Sequence, residues 1–166
     1  MAEIVVVMGV AGSGKTTVGR MLADAIHCPF LEGDTLHSPA NVEKMSHGIP
    51  LTDADRGPWL SAIHVRMVDA YHHRDSLVVG CSALKQSYRR ILDEGLPAIW
   101  VYLKGSPELI QQRMLARANH FMKANMLASQ FTALEEPPDA LVVDVSAPPD
   151  AIVERILLQI RSSPLG

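Results

Sequence analysis

The sequence predicts a three-layer α/β domain built on a parallel sheet, and two patterns carry that prediction. Its apolar runs are short, β-branched and near-continuous, as in strands covered on both faces. Between them lie segments with apolar residues at helical spacing, so strand and helix alternate along the chain and right-handed crossovers follow.

The first run is Ile4–Met8. Val18, Met21, Leu22, Ala25 and Ile26 then form one stripe at i, i+3, i+4, i+7 and i+8, an amphipathic helix. Pro29–Leu31 and Leu77–Cys81 are the second and third strands, and Ile99–Leu103 the fourth. "SPELIQQRM" opens a helix with Ser106 as N-cap, Pro107 at the first helical position and Glu108 near the positive end. Leu141–Val145 is the fifth strand, and Ile152, Val153, Ile156, Leu157 and Ile160 stripe the last helix. Thr35–Pro58 and Arg117–Pro138 fit the alternation poorly, and polar excursions of that length usually serve as lids or binding loops. Trp59, after Pro58, reads as the start and anchor of a helix. With no internal repeat or linker, residues 1–166 read as one domain, with an insertion over about 35–58 and a lid over about 117–138.

Composition excludes several partners. The 166 residues are 48% hydrophobic, enough for a real core, and the net charge of −3 offers no basic field for nucleic acid or anionic lipid. The longest apolar run, Ala98–Leu103, is far short of the roughly 18 residues a membrane span needs. The chain enters its first strand without a basic leader segment. Cys28 and Cys81 lack CxxC or zinc-finger spacing and read as free thiols in a reducing cytoplasm. The seven histidines include no HExxH, and His72–His73 reads as a solvated helix end. Met122 and Met126 read as packing residues.

The chemistry begins where the first strand ends. "MGVAGSGKTT" places Gly9, Gly14, Lys15 and Thr16 in the pattern G-x-x-x-x-G-K-[ST], between a strand and an amphipathic helix. A polyphosphate lying against backbone N–H groups requires a turn without obstructing Cβ atoms, so the loop from Gly9 through Val10, Ala11, Gly12, Ser13 and Gly14 to Thr17 reads as its cradle. The helix start adds its positive end, Lys15 bridges the outer phosphates, and the Thr16 hydroxyl ligates Mg²⁺. This establishes nucleotide binding and leaves the fate of the phosphate open.

A second cluster lies at the same sheet edge, where open parallel sheets gather their ligands. Glu32 and Asp34 leave the second strand as an i, i+2 pair expected to project to one side, one carboxylate toward the metal's waters and the other toward an acceptor hydroxyl. "GCSALK", with Ser82 and Lys85, follows the third strand, and Arg56, Lys85 and Arg89 supply cations suited to an anionic acceptor.

These residues together resemble the gluconokinases, small P-loop carbohydrate kinases that phosphorylate D-gluconate at its 6-hydroxyl with ATP. The resemblance runs from Met8 to Pro137 through "MGVAGSGKTT", "EGDTLHSPANVEKMSHGIPLTDADRGPWL", "CSALKQSYRRIL", "VYLKG" and "HFMKANMLASQFTALEEP". The first block is common to many nucleotide hydrolases, whereas "GDTLH" with "DADRGPWL" is far more specific. The resemblance implies a P-loop kinase fold with a five-stranded parallel sheet, helices on both faces and a helical lid, with ATP and Mg²⁺ as cofactors. By position it implies Asp34 as the base or hydroxyl-orienting residue and Glu32 as holder of the metal's waters. It assigns His37, Arg56, Lys85 and Arg89 to gluconate, and Arg113 and Arg117 to ATP; His120 falls in the matched lid block. Family members are commonly homodimers, although no exposed stripe in this sequence compels one. Two departures stand out: "RANHF" replaces Arg-x-Gly-His-Phe, with Asn119 able to supply the left-handed turn, and the link "EEPPDALVVD" is short. Two alternatives remain open at this point. One is a shikimate- or nucleotide-kinase-like enzyme, although shikimate kinases carry a glycine triplet where "GCSAL" stands. The other is a non-catalytic P-loop switch.

Overall fold

A computed structural model describes residues 2–116 and 124–162. Five parallel strands form the sheet: β1 (Ile4–Met8), β2 (Phe30–Glu32), β3 (Leu77–Gly80), β4 (Ala98–Lys104) and β5 (Leu141–Asp144), in the order β2-β3-β1-β4-β5. Ile4 pairs with Leu77 on one side and with Ala98 on the other, so β1 lies at the centre. The helices are α1 (Lys15–Ala25), α2 (Pro39–Ser46), α3 (Asp53–His72), α4 (Gln86–Leu92), α5 (Pro107–Leu115), α6 (Ala124–Ala133) and α7 (Pro149–Ser162). None among the described residues is long and apolar enough to cross a membrane.

The alternation of side chains along β1 builds the three layers. Val5 and Val7 join Val18 and Leu22 of α1 and Ile152 and Ile156 of α7 in one core. Ile4, Val6 and Met8 point the other way and join Leu60, Ile63 and Met67 of α3 and Leu92 of α4. Every β1 residue is buried, which explains its unbroken apolar run. At the edge of the sheet the second face is open, and Val142 of β5 is 50% exposed. On α1 the buried stripe takes in Ala23 in place of Ala25.

Helix α3 corrects the sequence reading. It starts at Asp53, so Trp59 lies inside it and Gly57 and Pro58 fall within its first two turns. The start is fixed by a reciprocal cap: the Asp55 N–H donates to Thr52 Oγ1 at 3.1 Å, and the Thr52 N–H donates to the Asp55 carboxylate at 2.9 Å. The Thr52 N–H and Lys44 hold the Asp55 carboxyl down to about 2, and the 2.9 Å Lys44 contact ties α2 to α3. The insertion is therefore largely helical.

Candidate active site

The loop after β1 turns into α1 through Gly14, whose φ of 99° is left-handed and whose missing side chain would meet no atom within 4 Å. No side chain caps the first turn of α1, and Ser13 is 1% exposed with its hydroxyl unpartnered among the described residues. An uncapped helix start beside a buried hydroxyl suits an anion that accepts several hydrogen bonds. The Lys15 ammonium donates to the Gly9 and Val10 carbonyls at 3.0 and 2.9 Å, which carries its charge across the loop. Three cradle residues also make contacts within the protein. Val10 is a core residue at 3% exposure, the Gly9 N–H donates to the Ser82 carbonyl at 3.3 Å, and the Ala11 N–H donates to Gln130 Oε1 of α6 at 2.8 Å. Gly12, Ser13, Gly14 and Thr17 line a cavity of about 270 Å³ with Arg113, whose guanidinium donates to the Val145 carbonyl.

The second cluster begins at Glu32, where β2 ends. The chain then enters a 3₁₀ turn, Gly33–Leu36, so Asp34 is not the strand residue that the i, i+2 argument assumed. The turn nevertheless keeps both carboxylates facing the phosphate loop. Glu32 accepts a hydrogen bond from the Thr16 hydroxyl, and Asp34 lines a cavity of about 380 Å³ with Ala11, Lys15, His37, Arg56, Trp59, Ser82, Met126 and Gln130. Thr16 with Glu32 is an all-oxygen pair, and the described residues contain no group of three or more His, Cys, Asp or Glu able to hold a metal. That donor set fits Mg²⁺, which keeps most of its waters and binds through few protein oxygens plus substrate phosphates.

His37 is fixed on three sides. Asn41 Nδ2 lies 3.3 Å from His37 Nδ1 and 3.0 Å from the Asp55 carbonyl, so the amide donates and Nδ1 accepts. The neutral ring thus carries its hydrogen on Nε2, which lies 3.9 Å from the Asp34 carboxylate. Burial lowers the His37 pKa, the Asp34 carboxylate works against that, and Arg56 adds to it. Arg56 Nη1 donates to the Leu51 carbonyl at 2.7 Å and to Tyr88 Oη at 3.2 Å.

Two predicted acceptor cations lie elsewhere. Lys85 is not on the cavity wall; its ammonium is 3.4 Å from Asp53, whose carboxylate draws it along the surface. Arg89 is 3% exposed and acts as a brace. It donates to the Ala83 carbonyl at 2.7 Å, to the Glu135 carbonyl at 2.8 Å and to Gln86 Oε1 at 3.0 Å. Ala83, at φ 46°, is a strained left-handed residue that this brace holds. Cys81 is fully buried and its thiol is pushed up to about 12, so it offers no thiolate. Arg117, Asn119, His120 and Met122 lie outside the described residues.

Sequence reasoning missed Trp59, Met126 and Gln130 as cavity residues. "SQF" within the lid block was the available signal for Gln130, since a glutamine among apolar helix residues needs a partner.

A model of the family described as Shikimate kinase matches residues 11–161. The chain is 44% identical to the thermoresistant gluconokinase of Escherichia coli (strain K12) over 91% of this chain and 89% of that one. It is 46% identical to the gluconokinase of Gluconobacter oxydans (strain 621H) over 93% and 89%. The crystal structure of a gluconokinase from Sinorhizobium meliloti 1021 is 43% identical, covers 97% of this chain and 98% of its own, and superposes with a TM-score of 0.84. Identity at this level, sustained along nearly the whole of both chains, decides the matter: this chain belongs to the gluconokinases, within the wider family that the shikimate kinase model describes.

Proposed function

We propose that this protein transfers the γ-phosphoryl group of ATP to the 6-hydroxyl of D-gluconate, giving 6-phospho-D-gluconate and ADP. The observation that carries the reading is one cavity whose wall includes Lys15 of the phosphate loop together with Asp34, His37, Arg56 and Ser82. Phosphoryl transfer asks the protein for positioning and charge neutralisation more than for covalent chemistry. Lys15 and the start of α1 hold the phosphates, and Arg113 and Thr17 flank the nucleotide on the other side of the loop. Asp34 accepts the hydrogen bond of the 6-hydroxyl and aims its oxygen at the phosphorus, while Arg56 and the Nε2–H of His37 meet the acceptor's carboxylate and hydroxyls. Thr16 and Glu32 would hold Mg²⁺, which neutralises phosphate charge when bound. Arg117 and His120 of the lid complete the set by the resemblance. We place the reaction in the cytoplasm, with Cys28 and Cys81 as free thiols.

The test is ATP turnover with D-gluconate, shikimate, D-glucose and nucleoside monophosphates as acceptors. Gluconate should exceed all others by orders of magnitude; a neutral sugar brings no carboxylate to Arg56. Comparable rates with glucose would refute carboxylate recognition, and the absence of any acceptor-dependent turnover would point to a nucleotide switch.

A further inference from the structure

Among the polar side chains of the block "CSALKQSYRRIL" that the proposed reaction has not used is Tyr88. Tyr88 of α4 is 5% exposed, yet its hydroxyl reaches two charged groups. It donates to the Asp53 carboxylate and lies 3.2 Å from Arg56 Nη1. A phenol has one hydrogen, so a hydroxyl that donates to Asp53 turns its lone pairs toward Arg56. Burial raises the Tyr88 pKa and the Asp53 bond raises it further, which keeps that hydrogen in place.

The geometry fixes more than a contact. Arg56 Nη1 has two hydrogens, one directed to the Leu51 carbonyl at 2.7 Å and the other to Tyr88 Oη. With both engaged, the guanidinium can offer a carboxylate only its Nε and Nη2 edge, in the paired geometry such recognition favours. The Arg56 guanidinium carbon also stands 5.5 Å from the Tyr88 ring centroid, and the Lys85 ammonium 5.6 Å from it. Lys85, 3.4 Å from Asp53, balances the carboxylate that anchors the phenol.

We propose that Tyr88 is a positioning residue for acceptor specificity: anchored by Asp53, its hydroxyl sets the Arg56 guanidinium that receives the acceptor's carboxylate. This rests on the reading of Arg56 as the carboxylate partner in gluconate phosphorylation.

The experiment is steady-state kinetics on the full chain for wild type, Tyr88→Phe, Arg56→Ala and the double variant, with gluconate and ATP varied separately. Tyr88→Phe should raise the gluconate KM about tenfold, the scale of one charge-assisted contact misdirected, and leave kcat and the ATP KM within about twofold. In the Arg56→Ala background the same change should alter the gluconate KM by less than about twofold, since nothing remains to be positioned. An equal rise in both backgrounds, or a parallel loss in kcat, would make Tyr88 a packing residue and overturn the proposal. Should Tyr88→Phe fail to fold, Asp53→Ala, on a side chain 69% exposed, removes the acceptor that anchors the phenol instead, and an unchanged gluconate KM there would overturn the proposal equally. Wild type without gluconate-dependent turnover would sink the underlying function as well, whereas a responsive wild type with a silent Tyr88→Phe sinks only this inference.

Discussion

The His37 imidazole lies flat against the Trp59 indole, with ring centroids 4.0 Å apart and planes 17° from parallel. The indole N–H donates to the Gly33 carbonyl at 2.8 Å, so the stack joins α3 to the turn that carries Asp34. His37 and a tryptophan read as a helix anchor thus form one wall of the cavity that Lys15 and Asp34 also line.

The stack has a pH signature. The folded-state pKa of His37 lies below the ordinary value of 6.5, so on acidification the unfolded chain takes up the proton first. The contribution is complete above about pH 6.5 and is lost as pH falls from there toward the folded-state pKa. His73, raised by the Asp69 carbonyl, acts in the opposite sense, so the variant must be compared with wild type. His37→Gln should flatten the decline of Tm as pH falls below about 6.5. Melting curves across that range check this, and an unchanged slope would mean His37 protonates freely in the fold.

Asp34 and Glu32 should separate by role. Asp34→Asn keeps the shape and removes the charge, so kcat should fall roughly 10²–10⁴-fold with ATP binding nearly unchanged. Glu32→Gln, altered at the Thr16 partner, should show its defect mainly as a raised Mg²⁺ requirement. A Mg²⁺ titration of both variants beside an ATP-binding assay distinguishes them. Rescue of Asp34→Asn alone by excess Mg²⁺ would exchange the two assignments.

The two arginines should behave differently. Arg56→Ala should raise the gluconate KM far more than the ATP KM. Arg89→Ala leaves the Ala83 and Glu135 carbonyls without their donor and should destabilise the fold by about 2–3 kcal/mol. Denaturant unfolding and kinetics on both variants provide the check; a selective gluconate defect in a fully stable Arg89→Ala would return that residue to the acceptor.

Thr52→Ala removes the cap of α3 and should cost about 0.5–2 kcal/mol. Because Asp53, Arg56 and Trp59 all ride on the first turns of that helix, the gluconate KM should rise alongside the loss in stability. An unfolding curve and a gluconate titration on the same preparation test the coupling.

The parts of this fold that were legible obey local rules. β1 is buried on both faces and therefore reads as one apolar run, and the phosphate loop needs glycine for reasons local to the turn. The start of α3 was misread because Gly57 and Pro58 look like breakers, whereas Thr52 and Asp55 hold the helix from outside them. The surroundings of Arg89 and Lys85 were not legible for a different reason. Their partners, Glu135 and Asp53, are distant in sequence, and a cation's charge does not say which carbonyl or carboxylate will claim it. Gln130 reaches Ala11 in the same way, across the cavity rather than along the chain.

The central position of β1 also bears on the order in which the molecule forms. The first strand made has neither neighbour beside it in sequence: its partners arrive only with Leu77 and Ala98. Closing contacts that distant costs entropy before any packing rewards it, and slows folding. The phosphate loop hangs from the end of β1 and is tied to Ser82 and Gln130, so its shape depends on the late arrivals on both sides. Nucleotide affinity should therefore appear in the last kinetic phase of refolding, after most of the helical signal, with ATP able to trap the finished fold but unable to speed its nucleation.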